Sequence, residues 1–187
     1  MSLDLDQRSG WPADLKVLLE RYPRATWPAR RAPDVDFWLE VHDEIRHDSS
    51  ALAAVADRHR AGEITPLELA VLSTPRLRAL LARLHGHHQV EDFEYFPALR
   101  AAEPRLARGF DALERDHDLL RGLAATALSS LENLLDAAAE KDTQGRAAAR
   151  HAADRYGAAA AAFGVRLARH LGDEEELVVP VLLERAT

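Results

Sequence analysis

The chain has 187 residues, nine histidines, no cysteine and a formal net charge of −7. Without cysteine there are no disulfides, thiolate metal sites or cysteine nucleophiles, and an acidic balance with no Lys/Arg-rich run disfavours nucleic acid as a partner. No apolar run approaches the roughly 20 residues that cross a bilayer, and Met-Ser-Leu-Asp-Leu-Asp lacks the basic and apolar blocks of a signal peptide, so a cytoplasmic protein without a membrane partner is expected.

The chain is 47% hydrophobic, rich in Ala, Leu, Arg and Glu and poor in β-branched residues, which predicts one all-α domain. Residues 1–35 read as an N-terminal extension packing on the rest, punctuated by Pro12, Pro23, Pro28 and Pro33. A short helix is expected over Ala13–Arg21, with Trp11, Tyr22 and Trp27 as anchors. Residues 36–187 read as an up-down-up-down four-helix bundle.

The first long helix is expected to begin near Asp34 or Asp36 as caps, with the seam Trp38, His42, Ile45, Ser49, Leu52, Ala56 and His59. Gly62, Thr65-Pro66 and Thr74-Pro75 read as breaks, with a short helix at Leu67–Leu72 between the two pairs. The second long helix is then expected from about Pro75 to about Arg100, with the seam Leu77, Leu80, Leu84, His87, Glu91, Glu94 and Ala98. Ala101-Ala102-Glu103-Pro104 leads into the third, whose seam from Leu106 to Leu134 has His117 as its polar member. Lys141-Asp142-Thr143 reads as a turn. The fourth helix carries Tyr156, Phe163, Leu167, His170, Glu174 and Leu177, and Gly157 and Gly164 with Ala158–Ala162 suggest close approach of a neighbour.

Two His-x-x-x-Glu motifs stand out: His87 with Glu91 and His170 with Glu174, each histidine followed ten residues later by a proline, Pro97 or Pro180. Four residues advance a helix by about 400°, so each pair shares a face and can reach one ion. The chain also repeats itself at lower resolution, with His42-Asp-Glu-Ile-Arg before the first motif and His117-Asp-Leu-Leu-Arg before the second. Antiparallel pairing puts His117 and His170 at similar heights, so the six residues converge on one layer.

Burying such a set uncompensated costs several kcal/mol per unpaired ion. No seam contains a lysine or arginine to neutralise the carboxylates. Two cations would do so, with two histidines on each metal and Glu91 and Glu174 bridging, leaving room for an oxo or hydroxo bridge and an exchangeable position. Nitrogen and oxygen donors without thiolate fit iron, manganese or zinc.

The ordered set His, His-x-x-x-Glu, His, His-x-x-x-Glu, with Val90-Glu91-Asp92, Tyr95-Phe96-Pro97, Glu174-Glu175-Glu176 and Val179-Pro180, resembles hemerythrin-like (HHE cation-binding) proteins over about Phe37 to Glu184. The resemblance implies a non-haem di-iron centre held by His42, His87, Glu91, His117, His170 and Glu174, in a protein that binds or senses O2 or a related small oxidant. Arg121 stands where oxygen carriers have a second third-helix histidine. Glu175 stands where they usually have an aspartate. Both departures fit the branch with two histidines per metal, for which the resemblance implies oxygen, redox or iron sensing, or reaction with peroxide or nitric oxide. A di-metal enzyme that decomposes peroxide and an iron-buffering or signalling module are the alternatives, and the sequence leaves a protein partner and homo-oligomerisation open.

Around this set, His47 reads as surface, His59 as a helix-end residue, and His85, His88 and His151 as solvated or supporting. Asp92, Asp173, Glu175 and Glu176 read mainly as a solvated face, with one of them available to orient a ligand imidazole. Glu94 reads as a supporting acid or extra ligand in the seam, and Tyr95 as a packing residue. Ile45, Leu80, Leu84, Leu113, Leu120, Phe163 and Leu167 are expected to give the site apolar walls that admit a diatomic ligand or peroxide.

Overall fold

The structure, a computed structural model, describes residues 2–30, 32–140 and 142–186 and contains helices and turns with no strand among them. Short 3-10 turns at Ala13–Leu15 and Arg24–Ala29 flank helix α1, Val17–Arg21. Helix α2 spans Pro33–Arg60 and α3 spans Pro66–Val90; a π-helical turn at Glu91–Tyr95 joins α3 to α4, Phe96–Ala102. After a 3-10 turn at Pro104–Leu106 come α5, Ala107–Ala139, and α6, Thr143–Arg185. With α3, the π turn and α4 counted as one rod, the fold is a four-helix bundle with an N-terminal extension of shorter helices.

The chain divides into two compact units, Met1–Glu44 with Gly86–Asp118 and Arg166–Thr187, and Ile45–His85 with Leu119–Val165. Each long rod gives one segment to each unit.

In the second unit the local signals behave as their chemistry requires. Gly62 takes φ of 75° beyond α2, and its N–H bonds the carbonyl of His59 at 2.9 Å, a glycine stop that places His59 at the helix end. Thr65 and Glu68 form a capping box: the Glu68 N–H donates to Thr65 Oγ1 at 3.2 Å and the Thr65 N–H to Glu68 Oε2 at 2.7 Å. The expected break at Thr74-Pro75 is absent, since α3 runs through Pro75 and no separate helix forms at Leu67–Leu72. Pro75 leaves the carbonyl of solvent-exposed Val71 without its helical donor, and nearby carbonyls gain side-chain donors, Thr74 Oγ1 to Ala70 at 2.8 Å and Arg76 to Leu72 at 2.7 Å. Gly164 provides the close approach expected of it, a Cβ there standing 3.4 Å from Ser49 Oγ, whereas a Cβ on Gly157 would meet nothing within 4 Å.

In the first unit α2 begins at Pro33, so Asp34 and Asp36 lie within its first turn instead of capping it. Leu177-Val-Val-Pro-Val-Leu-Leu183 is apolar on every side, and a helix of that kind must be covered all round. The extension does part of this: Trp11, Leu15, Leu18, Tyr22 and Trp27 are buried in one cluster with Val178, Val179, Leu182 and Leu183. A Cβ at Gly109 would stand 2.7 Å from Leu177 Cδ1, so the glycine lets α6 seat against α5. The expected turn at Lys141-Asp142-Thr143 is partly observable: Lys141 lies outside the described residues, and Asp142 Oδ1 caps α6 by accepting the Gly145 N–H at 2.6 Å.

The π turn changes which residues face the core. The Phe96 N–H bonds the carbonyl of Glu91, five residues back, immediately before Pro97, where an α-helix would lack a donor. One extra residue rotates everything beyond it by about 100° relative to an uninterrupted helix. The buried stripe therefore passes from Glu91 to Phe96 and Leu99, while Glu94 and Ala98 are exposed. A seam position for Glu94 requires an unbroken α period, which the π turn removes.

Candidate metal centre

All the residues that form the centre belong to the first unit. His42 comes from α2, His87 and His88 from the end of α3, Glu91 from the π turn, His117 from α5, and His170 and Glu174 from α6. His42, His117, His170 and Glu174 are fully buried, and Glu91 is nearly so.

The side chains fall into two groups. His42, His87, Glu91 and Glu174 each offer one donor atom, and these atoms lie within 4.8 Å of one another; His88, His117 and His170 do the same. The carboxylates span both groups. Glu91 places Oε1 2.9 Å from His87 Nε2 and Oε2 3.5 Å from His117 Nε2. Glu174 places Oε1 3.5 Å from His42 Nε2 and Oε2 3.3 Å from His170 Nε2. None of these approaches is aligned as a hydrogen bond. Nε2 of His42, His87, His88 and His170 and all four carboxylate oxygens are buried with no hydrogen-bond partner among the described residues. A buried polar atom left this way costs about 1–3 kcal/mol, which a fold tolerates in such number where a ligand supplies the missing bonds. The donor set fits divalent or trivalent cations, with imidazole nitrogens and carboxylate oxygens turned into one space.

The outer faces of the rings are held. His42 Nδ1–H donates to Glu175 at 3.1 Å, His117 Nδ1–H to Asp92 at 2.8 Å, and His170 Nδ1 lies 3.4 Å from Asp116 Oδ2. Such partners keep the proton on Nδ1 and aim Nε2 inward, as metal-site histidines require. Aromatic rings close two sides. Trp38 packs against both His42 and His87, with Tyr95 edge-on to Trp38 at 4.9 Å, and Phe96 lies over His117 at 5.7 Å. Tyr95 also lines a surface cavity of about 580 Å³ with Glu94, Leu99, Leu182 and Arg185.

The electrostatics reflect crowding. Burial, joined by the charge of Glu174, pushes the Glu91 carboxyl well above its usual range. Burial acts on Glu174 in the same sense, but the His42 and His170 imidazoles outweigh it and hold that carboxyl well below the ordinary value. Burial opposes the charge on His42, yet Glu174 and Glu175 raise it to about 9. His87 is lowered to about 4 by burial and by the neighbouring His42 and His170, and His88 is driven below the normal histidine range by burial and by His117 and His170.

The six residues named from spacing are thus brought together. Ile45, Leu80, Leu84, Leu113, Leu120, Phe163 and Leu167 are all buried, as expected of apolar seam residues, and His47, His85 and His151 are exposed. Of the two places expected for His88, solvated or supporting, the solvated one is not observed: His88 is 3% exposed and stacks on His117 with centroids 3.8 Å apart. Glu175 is likewise buried, and Glu94 is outside both groups. Asp116 and Arg8 were missed. Asp116 had a faint signal, since it lies three residues after seam residue Leu113 and four before Leu120, whereas Arg8 sits in a segment with no periodicity to place it.

Fold and site together define a helical bundle of hemerythrin type, with two histidine-rich groups positioned to chelate metal ions. Residues 34–184 match the family described as the hemerythrin HHE cation binding domain, and the chain belongs to that family. No curated protein and no solved structure matches it.

Proposed function

We propose that the chain holds two iron ions and uses them to bind or sense O2 or a related small oxidant. The observation that carries this reading is the placement of Glu91 and Glu174, each with one oxygen beside a histidine of either group. A carboxylate that only accepted hydrogen bonds would have no need of this symmetry; one that bridges two cations does. His42 and His87 would hold one ion and His88, His117 and His170 the other, which revises an even share of two histidines each. Manganese and zinc suit the same donors, but of the three candidates iron is the one whose redox chemistry matches reaction with oxygen. When bound, the ions would supply the electrons exchanged with the oxidant.

The chain's own residues favour a small ligand. With both carboxylates shared between the ions, the two-histidine group has one imidazole fewer, so the exchangeable position belongs there, behind Trp38. Tyr95 lines the 580 Å³ cavity and packs on Trp38, which in turn packs on His42 and His87, so a ligand that enters from that cavity must pass two aromatic rings, which disfavours bulky polar molecules. Among the described residues no helix is long and apolar enough to cross a membrane.

Mixing the iron-loaded, reduced protein with limiting oxidant tests this reading. Stoichiometric oxidation, one oxidant per pair of irons, is the expected outcome; many turnovers of peroxide, abolished by Glu174→Ala, would assign the site to an enzyme instead.

A further inference from the structure

Two arginines of the N-terminal extension reach the centre through carboxylates. Arg8 is fully buried, donating from Nη2 to Asp116 Oδ2 at 2.6 Å and from Nε to Asp173 Oδ2 at 2.7 Å, with its guanidinium 4.4 Å from the Trp11 ring centroid. Asp116 Oδ2, the oxygen that takes the Arg8 bond, is the one that lies 3.4 Å from His170 Nδ1. Arg24 donates from Nη1 to Glu175 Oε2 at 2.7 Å, while Glu175 Oε1 faces His42 Nδ1 at 3.1 Å. Arg24 is tied down further by the carbonyl of Gly172 at 3.1 Å and by the Trp27 ring. His42 and His170 belong to different groups, so each group has one arginine–carboxylate–imidazole chain that starts in the extension. The family domain covers residues 34–184, and both arginines lie outside it.

We propose that the extension is part of the metal centre, with Arg8 and Arg24 as positioning residues that fix Asp116 and Glu175 and through them aim His170 and His42, one imidazole for each metal. The physical reason is geometric. A carboxylate at the side of a buried ring can rotate toward other donors, and a guanidinium on one of its oxygens stops that rotation. Buried Arg8 cannot be explained as solubility, since a cation out of water is retained only where paired, and its pairing places a second carboxylate, Asp173, beside Asp116. Trp11 reinforces the arrangement by donating from Nε1 to the carbonyl of Asp173 at 2.7 Å.

The proposal rests on the two-metal reading, and the test separates the two. Metal-free wild-type protein is titrated with Co2+, whose visible absorption reports the ligand field of each ion, alongside Arg8→Met, Arg24→Met, the double variant and Arg8→Lys. Circular dichroism melts report folding. Two resolved Co2+ steps in the wild type are expected; no binding would overturn the two-metal reading and this proposal with it. Given two steps, Arg8→Met should weaken one by about 10- to 100-fold and Arg24→Met the other by about 3- to 10-fold, with both steps weakened in the double variant and Arg8→Lys intermediate. A merely structural extension would lower the melting temperature and affect both steps alike, or neither, and either result overturns the proposal. Arg24 is half exposed, so Arg24→Met decides the matter should loss of buried Arg8 unfold the chain.

Discussion

His88 lies flat against His117, ring centroids 3.8 Å apart and planes within 10° of parallel. Two neutral imidazoles stack this way readily, and the stack sets three Nε2 or Nδ1 donors, those of His88, His117 and His170, within reach of one point. Replacing His88 by Phe keeps a flat ring against His117 and removes the nitrogen. His88→Phe is expected to fold with its stability unchanged to within about 0.5 kcal/mol and to bind one of its two metals at least tenfold more weakly; a denaturant titration and elemental analysis after dialysis check it. Full retention of both metals would return the centre to six protein ligands.

The two glutamates make a different prediction, because each serves both groups. Glu91→Gln or Glu174→Gln should lose both ions together, whereas His42→Phe should lose mainly one. For the metal-free protein the sign reverses at Glu91. Its carboxyl is forced upward by burial and by Glu174, so an isosteric neutral amide relieves repulsion. Glu91→Gln is expected to leave metal-free stability unchanged or raise it by about 1 kcal/mol while abolishing metal binding, a trade of stability against function measurable by denaturant titration.

Stability of the metal-free chain should also depend on pH with a maximum near the ordinary histidine value. His87 is lowered to about 4 and His88 is lowered as well, so between pH 6.5 and 4 the unfolded chain takes up protons on both that the native chain resists, and stability falls as pH falls. Glu91, raised, opposes one of these two. His87 alone contributes roughly 3 kcal/mol over that window. On the alkaline side His42, raised to about 9, contributes stability that is fully present below 6.5 and lost as pH rises through 9. Burial opposes the charge on His170, but Asp116 and Glu174 raise it in the same direction as His42. Melting temperatures of metal-free protein from pH 4.5 to 9.5 should therefore describe a dome; a monotonic curve would contradict these assignments.

Much of this architecture was legible in the sequence because it is local. Seams with spacings of three and four residues mark the long helices, and His-x-x-x-Glu puts two donors on one helix face whatever the rest of the fold does. What escaped was whatever broke that period or came from far along the chain. The π turn before Pro97 adds a residue to the helix, so Glu94 leaves the core and Phe96 enters it. Adjacent histidines at 87 and 88 cannot share a narrow stripe, and the seam rule chose one; the structure uses both because α2 lies on the His87 side and α5 on the His88 side. Pro75 did not end its helix because Val71, whose carbonyl it leaves open, faces solvent. Arg8 meets Asp116 across 108 residues of chain, and no periodic pattern encodes such a pairing.

Metal content measured by elemental analysis, with the absorption spectrum recorded before reduction, after it and again in air, decides whether the buried histidines and glutamates hold two ions. About two irons per chain are expected, with a near-ultraviolet charge-transfer band that bleaches on reduction and returns with oxygen. A folded, thermally stable protein with no bound metal after expression in iron-replete medium and reconstitution would contradict the two-ion reading, and would leave the His–Glu layer to hydrogen bonding alone.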